Sequence, residues 1–204
     1  MIETNLEGWY PVALERDIVP LRLARSKIGN KPLVLWRDDE DQIHVWIDRC
    51  PHRSVRLSAG RNFGAYLEGV YHGWRFGKDG RVMAVPAEGY SAKPDICVEV
   101  VAVSVQNGLV LANPSKQKAL DAPKVDVKKN EILIRPMPIG AKQDIVCGSL
   151  SNWQGLRSIV TPTGEESCWV YGLMTPNSKE PASNGLRRIN GRLNDLRKSL
   201  ESSS

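Results

Sequence analysis

The chain has 204 residues, of which 41% are hydrophobic and 25% are charged, and its formal net charge is +5. This composition is typical of a folded globular protein and excludes an intrinsically disordered chain. Acidic and basic residues are interspersed rather than clustered, so the charge indicates a solvated surface and we expect no nucleic-acid partner. No apolar run approaches the roughly 18 residues of a transmembrane helix, so we expect no membrane association.

Residues 9–112 are predicted to be all-β. The apolar segments 33–36 and 43–47 flank a polar turn at 38–41, which predicts a hairpin. Asp79-Gly80 and Asn107-Gly108 are further turn signals between apolar runs. Short strands at this spacing favour a small antiparallel barrel or sandwich. Within the second strand of the hairpin, alternation places His44 opposite the apolar positions, so we expect a surface histidine.

The last third of the chain is predicted to be a small α+β unit. Residues 116–130 are polar, with five Lys and two Asp, and are predicted to be a linker. Apolar segments at 132–134, 145–146, 156–160 and 168–171 are predicted strands, with a turn at 161–166. Ile189, Leu193, Leu196 and Leu200 recur at spacings of four, three and four, which predicts an amphipathic C-terminal helix.

Cysteine usage indicates a reducing compartment. The chain has four cysteines far apart in sequence, Cys50, Cys97, Cys147 and Cys168. No basic segment followed by an apolar run lies near Met1, so no secretory signal is predicted. Scattered cysteines of this kind are typical of reduced thiols, and we expect a cytoplasmic protein in which the last three pack as small apolar residues.

The strongest chemical signal lies between residues 50 and 74. Cys50 and His52 form a Cys-x-His pair on a loop that contains Pro51, and His72 follows twenty residues after His52. Thiolate and imidazole are ligands for iron and zinc, and residues i and i+2 of one loop can point into one pocket. A matching Cys-x-x-His pair would need a cysteine at position 69, where the chain has Gly69.

The same segment resembles the Rieske domain of ring-hydroxylating and demethylating Rieske oxygenases. That family carries Cys-Pro-His-Arg and then, about sixteen residues later, Cys-x-Tyr-His-Gly-Trp. The positions that fit are Cys50, Pro51, His52, Arg53, Tyr71, His72, Gly73 and Trp74. The opening residues 8–13, Gly80 and Pro86 fit as well, so the resemblance covers residues 5–115.

The resemblance implies a 2Fe-2S cluster in which two cysteines hold one iron and two histidines hold the other. Cys50 would bind the first iron, and His52 and His72 would bind the second, with Gly69 at the position of the missing fourth ligand. The implied role is electron transfer in an oxygenase system. An oxygenase subunit and a ferredoxin or flavin reductase are the implied partners, in a homo- or hetero-oligomer.

Gly69 leaves several alternatives open. In the first alternative, an external thiol, water or Cys97 completes the cluster. In the second, a single zinc or iron ion binds to Cys50, His52 and His72. In the remaining alternative the site is metal-free, and the protein is a degenerate subunit that stabilises or regulates an intact partner oxygenase. A catalytic Cys50–His52 pair fits less well, because i and i+2 neighbours on a Pro-containing loop favour joint ligation.

The chain also departs from the catalytic domain of the family oxygenases. Family oxygenases hold a mononuclear iron with two histidines and a carboxylate. This chain has three histidines, and none follows residue 72. We therefore expect no mononuclear iron and no complete oxygenase from this chain alone. The expected organisation is a Rieske-type domain at 5–115, a linker at 116–130 and a remnant of the catalytic domain at 131–204, which is small enough to depend on a partner for stability.

Overall fold

The computed structural model describes residues 8–89, 95–115, 121–178 and 180–202. The described residues form a mainly β protein with a long C-terminal helix, so the predicted fold class is confirmed. None of the helices in these ranges is long and apolar enough to cross a membrane. The strands are β1 (Tyr10–Leu14), β2 (Leu23–Ile28), β3 (Lys31–Arg37), β4 (Ile43–Ile47), β5 (Arg61–Asn62), β6 (Tyr66–Glu68), β7 (Arg75–Gly77), β8 (Val82–Ala84), β9 (Val100–Gln106), β10 (Leu109–Asn113), β11 (Ile132–Leu133), β12 (Met137–Ile139), β13 (Leu156–Gly164) and β14 (Ser167–Met174), and the helices are α1 (Gln143–Leu150) and α2 (Ala182–Glu201).

The strands form three antiparallel sheets. The first has the order β1-β10-β9-β4-β3-β2 and the second the order β5-β6-β7-β8. In the third, β14 pairs with β13 along one edge and with the short strands β11 and β12 along the other. The predicted hairpin is β3–β4, and the predicted pairing of β9 with β10 turns at Asn107-Gly108, where both residues have positive φ.

Two strands are buried on both faces and connect the cores of the molecule. In β3, Leu33 and Leu35 belong to the core of the first sheet, while Val34 and Trp36 belong to the core beneath the second sheet. In β10, Leu109 and Leu111 face a further core, which is shared with the third sheet. Apolar runs without polar alternation are expected for such central strands.

The third sheet is covered on both faces within the described chain. Tyr171 and Ile159 pack against β10, while Val170 and Cys168 pack against the two helices. Thr161 Oγ1 donates a hydrogen bond to Pro11 O at 2.7 Å, which joins β13 to β1. The N-terminal part of the chain therefore supplies one of the two packing faces of the third sheet.

The predicted linker also packs in part. Residues 116–120 lie outside the described residues, and residues 121–130 form no regular helix or strand. Val125 is nevertheless buried in the core shared with the third sheet. Its N–H donates to Gln106 Oε1 at 3.0 Å, and its carbonyl accepts from Asn107 Nδ2 at 2.9 Å. The end of the linker is thereby fixed to the β9–β10 turn.

Two predictions in the last third are wrong. The segment around residues 145–146, which includes Cys147, is not a strand, because it lies within α1. Val146 and Leu150, four residues apart, are its buried face, and the Gln143 side chain donates to Val160 O on the edge of β13 at 2.9 Å. The turn expected at 161–166 is shorter, because β13 continues to Gly164. A helix of eight residues offers too few apolar positions for its period to be recognised.

A buried carboxylate fixes the β3–β4 hairpin. The Asp38 side chain is 1% exposed, and it accepts hydrogen bonds from His44 Nε2 at 2.9 Å and from Gln42 N at 2.8 Å. Lys78 Nζ lies 3.2 Å from the same carboxylate. His44 also stacks on Trp36 with ring centroids 4.5 Å apart, so the expectation of a surface histidine is wrong.

We expect the Asp38 carboxylate to make the stability of the protein sensitive to acid. Burial raises the pKa of Asp38, but the hydrogen bonds from His44, Gln42 and Lys78 outweigh burial and lower the pKa from 3.8 to about 2. The stabilisation is present above pH 3.8 and is lost as the pH falls through about 2. Asp38→Asn should therefore lower the free energy of unfolding by roughly 2–3 kcal/mol at neutral pH, and the difference should vanish near pH 2.

The measurement is urea denaturation of both proteins between pH 7 and pH 2. Asp39→Asn is the matched control, because Asp39 also pairs with Lys78 but is half-exposed. A constant difference between wild type and Asp38→Asn across this pH range would contradict the prediction.

Candidate metal centre

Two loops form one pocket at the end of the second sheet. The first loop runs from β4 to the 3-10 turn Leu57–Ala59, and the second joins β6 to β7. The pocket is lined by Cys50, His52, Gly69, Tyr71, His72 and Trp74, together with Arg53, Val55, Arg56 and Val70. The structure thus brings together all four positions that the sequence singled out.

The first loop is held by short-range hydrogen bonds. Cys50 N donates to Val55 O, and Ser54 N donates to Cys50 O, both at 2.8 Å. At its base, the buried Asp48 carboxylate accepts from Ser58 N at 2.7 Å and from Ser58 Oγ at 2.6 Å. These contacts fix where the Cys50 and His52 side chains leave the backbone.

Short-range hydrogen bonds also hold the second loop. Gly69 N donates to Trp74 O at 2.9 Å, and Gly73 N donates to Gly69 O at 3.1 Å. Gly73 has φ +63, a left-handed conformation that favours glycine at this position. The Arg75 and Glu68 side chains, which face each other across β6 and β7, form an ion pair at 3.0 Å. The loop therefore begins and ends on a fixed two-strand base.

The two histidines meet at the pocket mouth. His52 Nδ1 and His72 Nδ1 lie 3.0 Å apart, and both side chains are exposed. His52 also stacks on Trp74, with ring centroids 4.4 Å apart and an interplanar angle of 6°. Two nitrogens that bind one ion at about 2.1 Å each lie roughly 3.0–3.4 Å apart, so this pair is spaced to share a metal ion.

The protonation of the pair also favours ligation. Desolvation lowers the pKa of His52, and the nearby charges of His72 and Arg53 lower it further. A hydrogen bond between two ring nitrogens needs one donor and one acceptor, so at least one ring is neutral. Metal binding requires a deprotonated ring nitrogen.

Cys50 lies deeper than the histidines. Its side chain is half-buried and packs against the core that contains Trp74 and Phe76. Within the described ranges, no three His, Cys, Asp or Glu side chains form a group that holds one metal ion. A single ion on Cys50, His52 and His72 is therefore not supported. The division into a cysteine side and a two-histidine side suits a centre with two metal ions.

Gly69 is the position at which the ligand set is incomplete. The residue is not in the left-handed region, so its backbone accepts an L side chain. A Cβ atom placed here would meet nothing closer than Trp74 O at 3.7 Å and Phe76 Cε2 at 3.9 Å, which are ordinary contact distances. A Cβ atom therefore fits at this position, although the chain carries no ligand side chain there.

The remaining cysteines lie elsewhere. Cys97 is exposed, so its expected burial is wrong; its neighbour Val98 points into the core beside Cys50 instead. Cys147 and Cys168 belong to the core under the helices. Burial, with a smaller contribution from Cys147, raises the pKa of Cys168 to about 12. A thiol that stays protonated is a poor metal ligand.

Sequence reasoning missed the surroundings of the ligands. Tyr71 is 61% exposed and contacts His72 with ring centroids 4.0 Å apart. Trp74 packs beneath His52 and is nearly buried. Arg56 lines the pocket with its side chain 61% exposed. A lone arginine in a loop carries no sequence signal that would have identified it.

Residues 8–102 match the family model described as the Rieske 2Fe-2S domain. The chain is 37% identical over 109 residues to Protein TIC 55, chloroplastic, from Pisum sativum, covering 51% of this chain and 19% of that protein. It is 32% identical over 116 residues to the 4beta-methylsterol monooxygenase of Methylococcus capsulatus, covering 55% and 31%. The chain therefore spans only about a fifth to a third of the length of these relatives.

The fold extends the similarity beyond the aligned sequence. A mutant of NdmA from Pseudomonas putida CBB5, solved with theobromine, superposes with a TM-score of 0.79 at 16% sequence identity, covering 95% of this chain and 80% of that one. The N-terminal part of the chain belongs to the Rieske 2Fe-2S domain family. The fold of 95% of the chain is similar to that of NdmA.

The pocket fits the cluster that this family implies on three of four positions. His52 and His72 provide the complete histidine side, and Cys50 provides half of the cysteine side. At the fourth position, Gly69, a Cβ atom would fit, but the chain has no ligand atom there.

Proposed function

We propose that this protein holds a 2Fe-2S cluster through Cys50, His52 and His72 and acts as a one-electron carrier in an oxygenase system. The observation that carries the proposal is the pair of histidine Nδ1 atoms 3.0 Å apart at the rim of a pocket with Cys50 at its base. When bound, such a cluster supplies a one-electron couple whose potential is raised by its imidazole ligands.

The two sides of the site differ in their burial. Cys50 lies against the core, whereas His52 and His72 are exposed at the mouth. The histidine side is therefore the side that faces a partner, and it is the shortest exit for an electron. Val70 and Tyr71, 57% and 61% exposed, form an apolar rim beside it, a feature typical of surfaces that contact other proteins.

The partners we propose are an oxygenase subunit and a ferredoxin or flavin reductase, in a homo- or hetero-oligomer. A mononuclear iron site is not proposed for this chain. Two of its three histidines lie in the pocket, and the third, His44, is hydrogen-bonded to Asp38. The four cysteines are unpaired, which supports a reducing compartment such as the cytoplasm.

The proposed organisation follows the expected boundaries. Residues 5–115 are the Rieske-type domain, residues 116–130 the linker, and residues 131–204 a shortened form of the oxygenase catalytic domain. The match of residues 8–102 supports the first boundary. The superposition over 95% of the chain supports the view that the C-terminal segment derives from the same oxygenase fold.

Gly69 favours a second candidate function, a metal-free subunit that stabilises or regulates an intact partner oxygenase. In such a subunit the His52–His72 hydrogen bond and the stacking of His52 on Trp74 would be structural contacts. The two candidates differ in colour, because only the first requires a chromophore.

Iron and acid-labile sulfide content of the anaerobically reconstituted protein tests the proposal. We expect about two irons and two sulfides per chain in the wild type, and an iron content at least tenfold lower in His52→Ala and His72→Ala, because each removes a ligand. His44→Gln is the matched control and should keep its iron. A folded, colourless wild type without iron would favour the metal-free subunit instead.

A further inference from the structure

We propose that a groove between the first and third sheets binds a small amphipathic carboxylate, an organic anion with a short aliphatic body. One side of the groove comes from β1, from the segment that follows it and from β2, and the other side includes Arg135, Pro136 and Trp169. The groove shares no residue with the pocket of the candidate metal centre. The inference therefore goes beyond the proposed electron transfer and does not depend on it.

The groove lies at the seam of the first sheet. β1 and β2 are the two edge strands of that sheet, and Ser26 Oγ of β2 donates to Val12 O of β1 at 2.7 Å. The pairing of β1 with β10 is irregular between Pro11 and Ala13. The groove has a volume of about 660 Å³. Small-molecule sites occupy roughly 300–1,000 Å³, so there is room here for an organic ligand.

Apolar residues form most of the lining. Eight of the twelve lining residues are apolar, and of these only Trp169 is aromatic. Val12, Leu14 and Ile18 are at most 2% exposed and belong to the cores, whereas Val19 is 52% exposed. The lining therefore suits an aliphatic body better than a stack of aromatic rings.

The charge of the groove selects the head group. Arg16, Arg25 and Arg135 line it together with a single acid, Asp17, so the groove is positively charged. Arg16 Nη2 donates to Leu133 O at 3.3 Å. None of the ion pairs between described residues involves Arg25 or Arg135.

Guanidinium groups bind carboxylates through charge-assisted hydrogen bonds. The negative charge of Asp17 in the same groove opposes a doubly charged phosphate more strongly than a singly charged carboxylate. Together with the apolar lining, these charges indicate one anionic end and one aliphatic end in the ligand.

Isothermal titration calorimetry with octanoate tests the site at constant pH and ionic strength. Octanamide has the same chain with a neutral head group, and acetate has the charge without the chain. We expect one octanoate to bind per chain, roughly fivefold or more tightly than either analogue, because the charged hydrogen bonds and the apolar contacts both contribute.

Arg25→Gln and Arg135→Gln should each weaken octanoate binding about threefold, and both residues are exposed, so we expect both variants to fold. Arg61→Gln is the matched control, because Arg61 is also exposed but lines a different groove. Octanoate should also raise the unfolding temperature of wild type more than that of the Arg25→Gln, Arg135→Gln double variant.

Equal affinities for octanoate and octanamide in wild type would overturn the charge selection and with it the proposal. An absence of binding at millimolar octanoate would overturn it as well. Octanoate binding that neither Arg25→Gln nor Arg135→Gln weakens, or that Arg61→Gln weakens equally, would place the anion elsewhere on the surface and would also contradict this site.

Discussion

Gly69→Cys is expected to hold its iron at least tenfold longer than wild type when both reconstituted proteins are challenged with a chelator. The variant supplies the fourth protein ligand from a backbone position at which a Cβ atom makes only ordinary contacts. A ligand that is part of the chain loses no translational or rotational freedom when it binds. It therefore dissociates less readily than a ligand from outside the chain. The measurement is the decay of visible absorption after the chelator is added, with both proteins prepared in the same way.

A second readout follows from linkage. A cluster that binds the native chain and not the unfolded one stabilises the fold, so Gly69→Cys should unfold at a higher temperature with its cluster than without. Gly191→Cys is the matched control, because it adds a thiol at an open position on α2. Equal rates of iron loss in Gly69→Cys and wild type would contradict the geometry assigned to this loop.

Leu111→Ala is expected to lower the free energy of unfolding by roughly 2–5 kcal/mol. Leu111 lies on β10, is fully buried, and belongs to the core that joins the N-terminal part to Ile159 and Tyr171 of the third sheet. Removing it leaves a cavity between the two parts, so both should be destabilised together. Urea denaturation followed by far-UV circular dichroism and by tryptophan fluorescence should give coincident, single transitions.

The control for this variant is Val105→Ala on the adjoining strand β9, where the side chain is 41% exposed. We expect its effect to stay within about 0.5 kcal/mol. Two separate transitions, with only one moved by Leu111→Ala, would mean that residues 131–204 fold independently of the Rieske domain. That result would contradict the shared core.

Local sequence signals predicted the N-terminal part well. The β3–β4 hairpin and the Asn107-Gly108 turn follow from strand patterns and turn chemistry, which act over a few residues. The loop spacing of Cys50, His52 and His72 likewise placed them in one pocket, because each loop is short and bounded by paired strands.

The errors arise where a residue depends on distant parts of the chain. His44 was expected at the surface because alternation does not reveal the buried Asp38 that accepts its hydrogen bond. Cys97 was expected to pack as a small apolar residue, yet it is exposed and its neighbour Val98 enters the core. The fit of a Cβ atom at Gly69 is a property of the folded loop and has no trace in the sequence.

We propose that His52 and His72 hold one iron together, and nitrogen hyperfine spectroscopy is the most direct measurement of this shared ligation. Wild type and Gly69→Cys are reconstituted, reduced with dithionite and measured by pulsed EPR. We predict that the reduced protein gives a signal with couplings from two imidazole nitrogens. We also predict that His52→Ala and His72→Ala either bind no cluster or lose one of the two couplings. A reduced cluster without nitrogen coupling, or no cluster in either protein, would contradict the account.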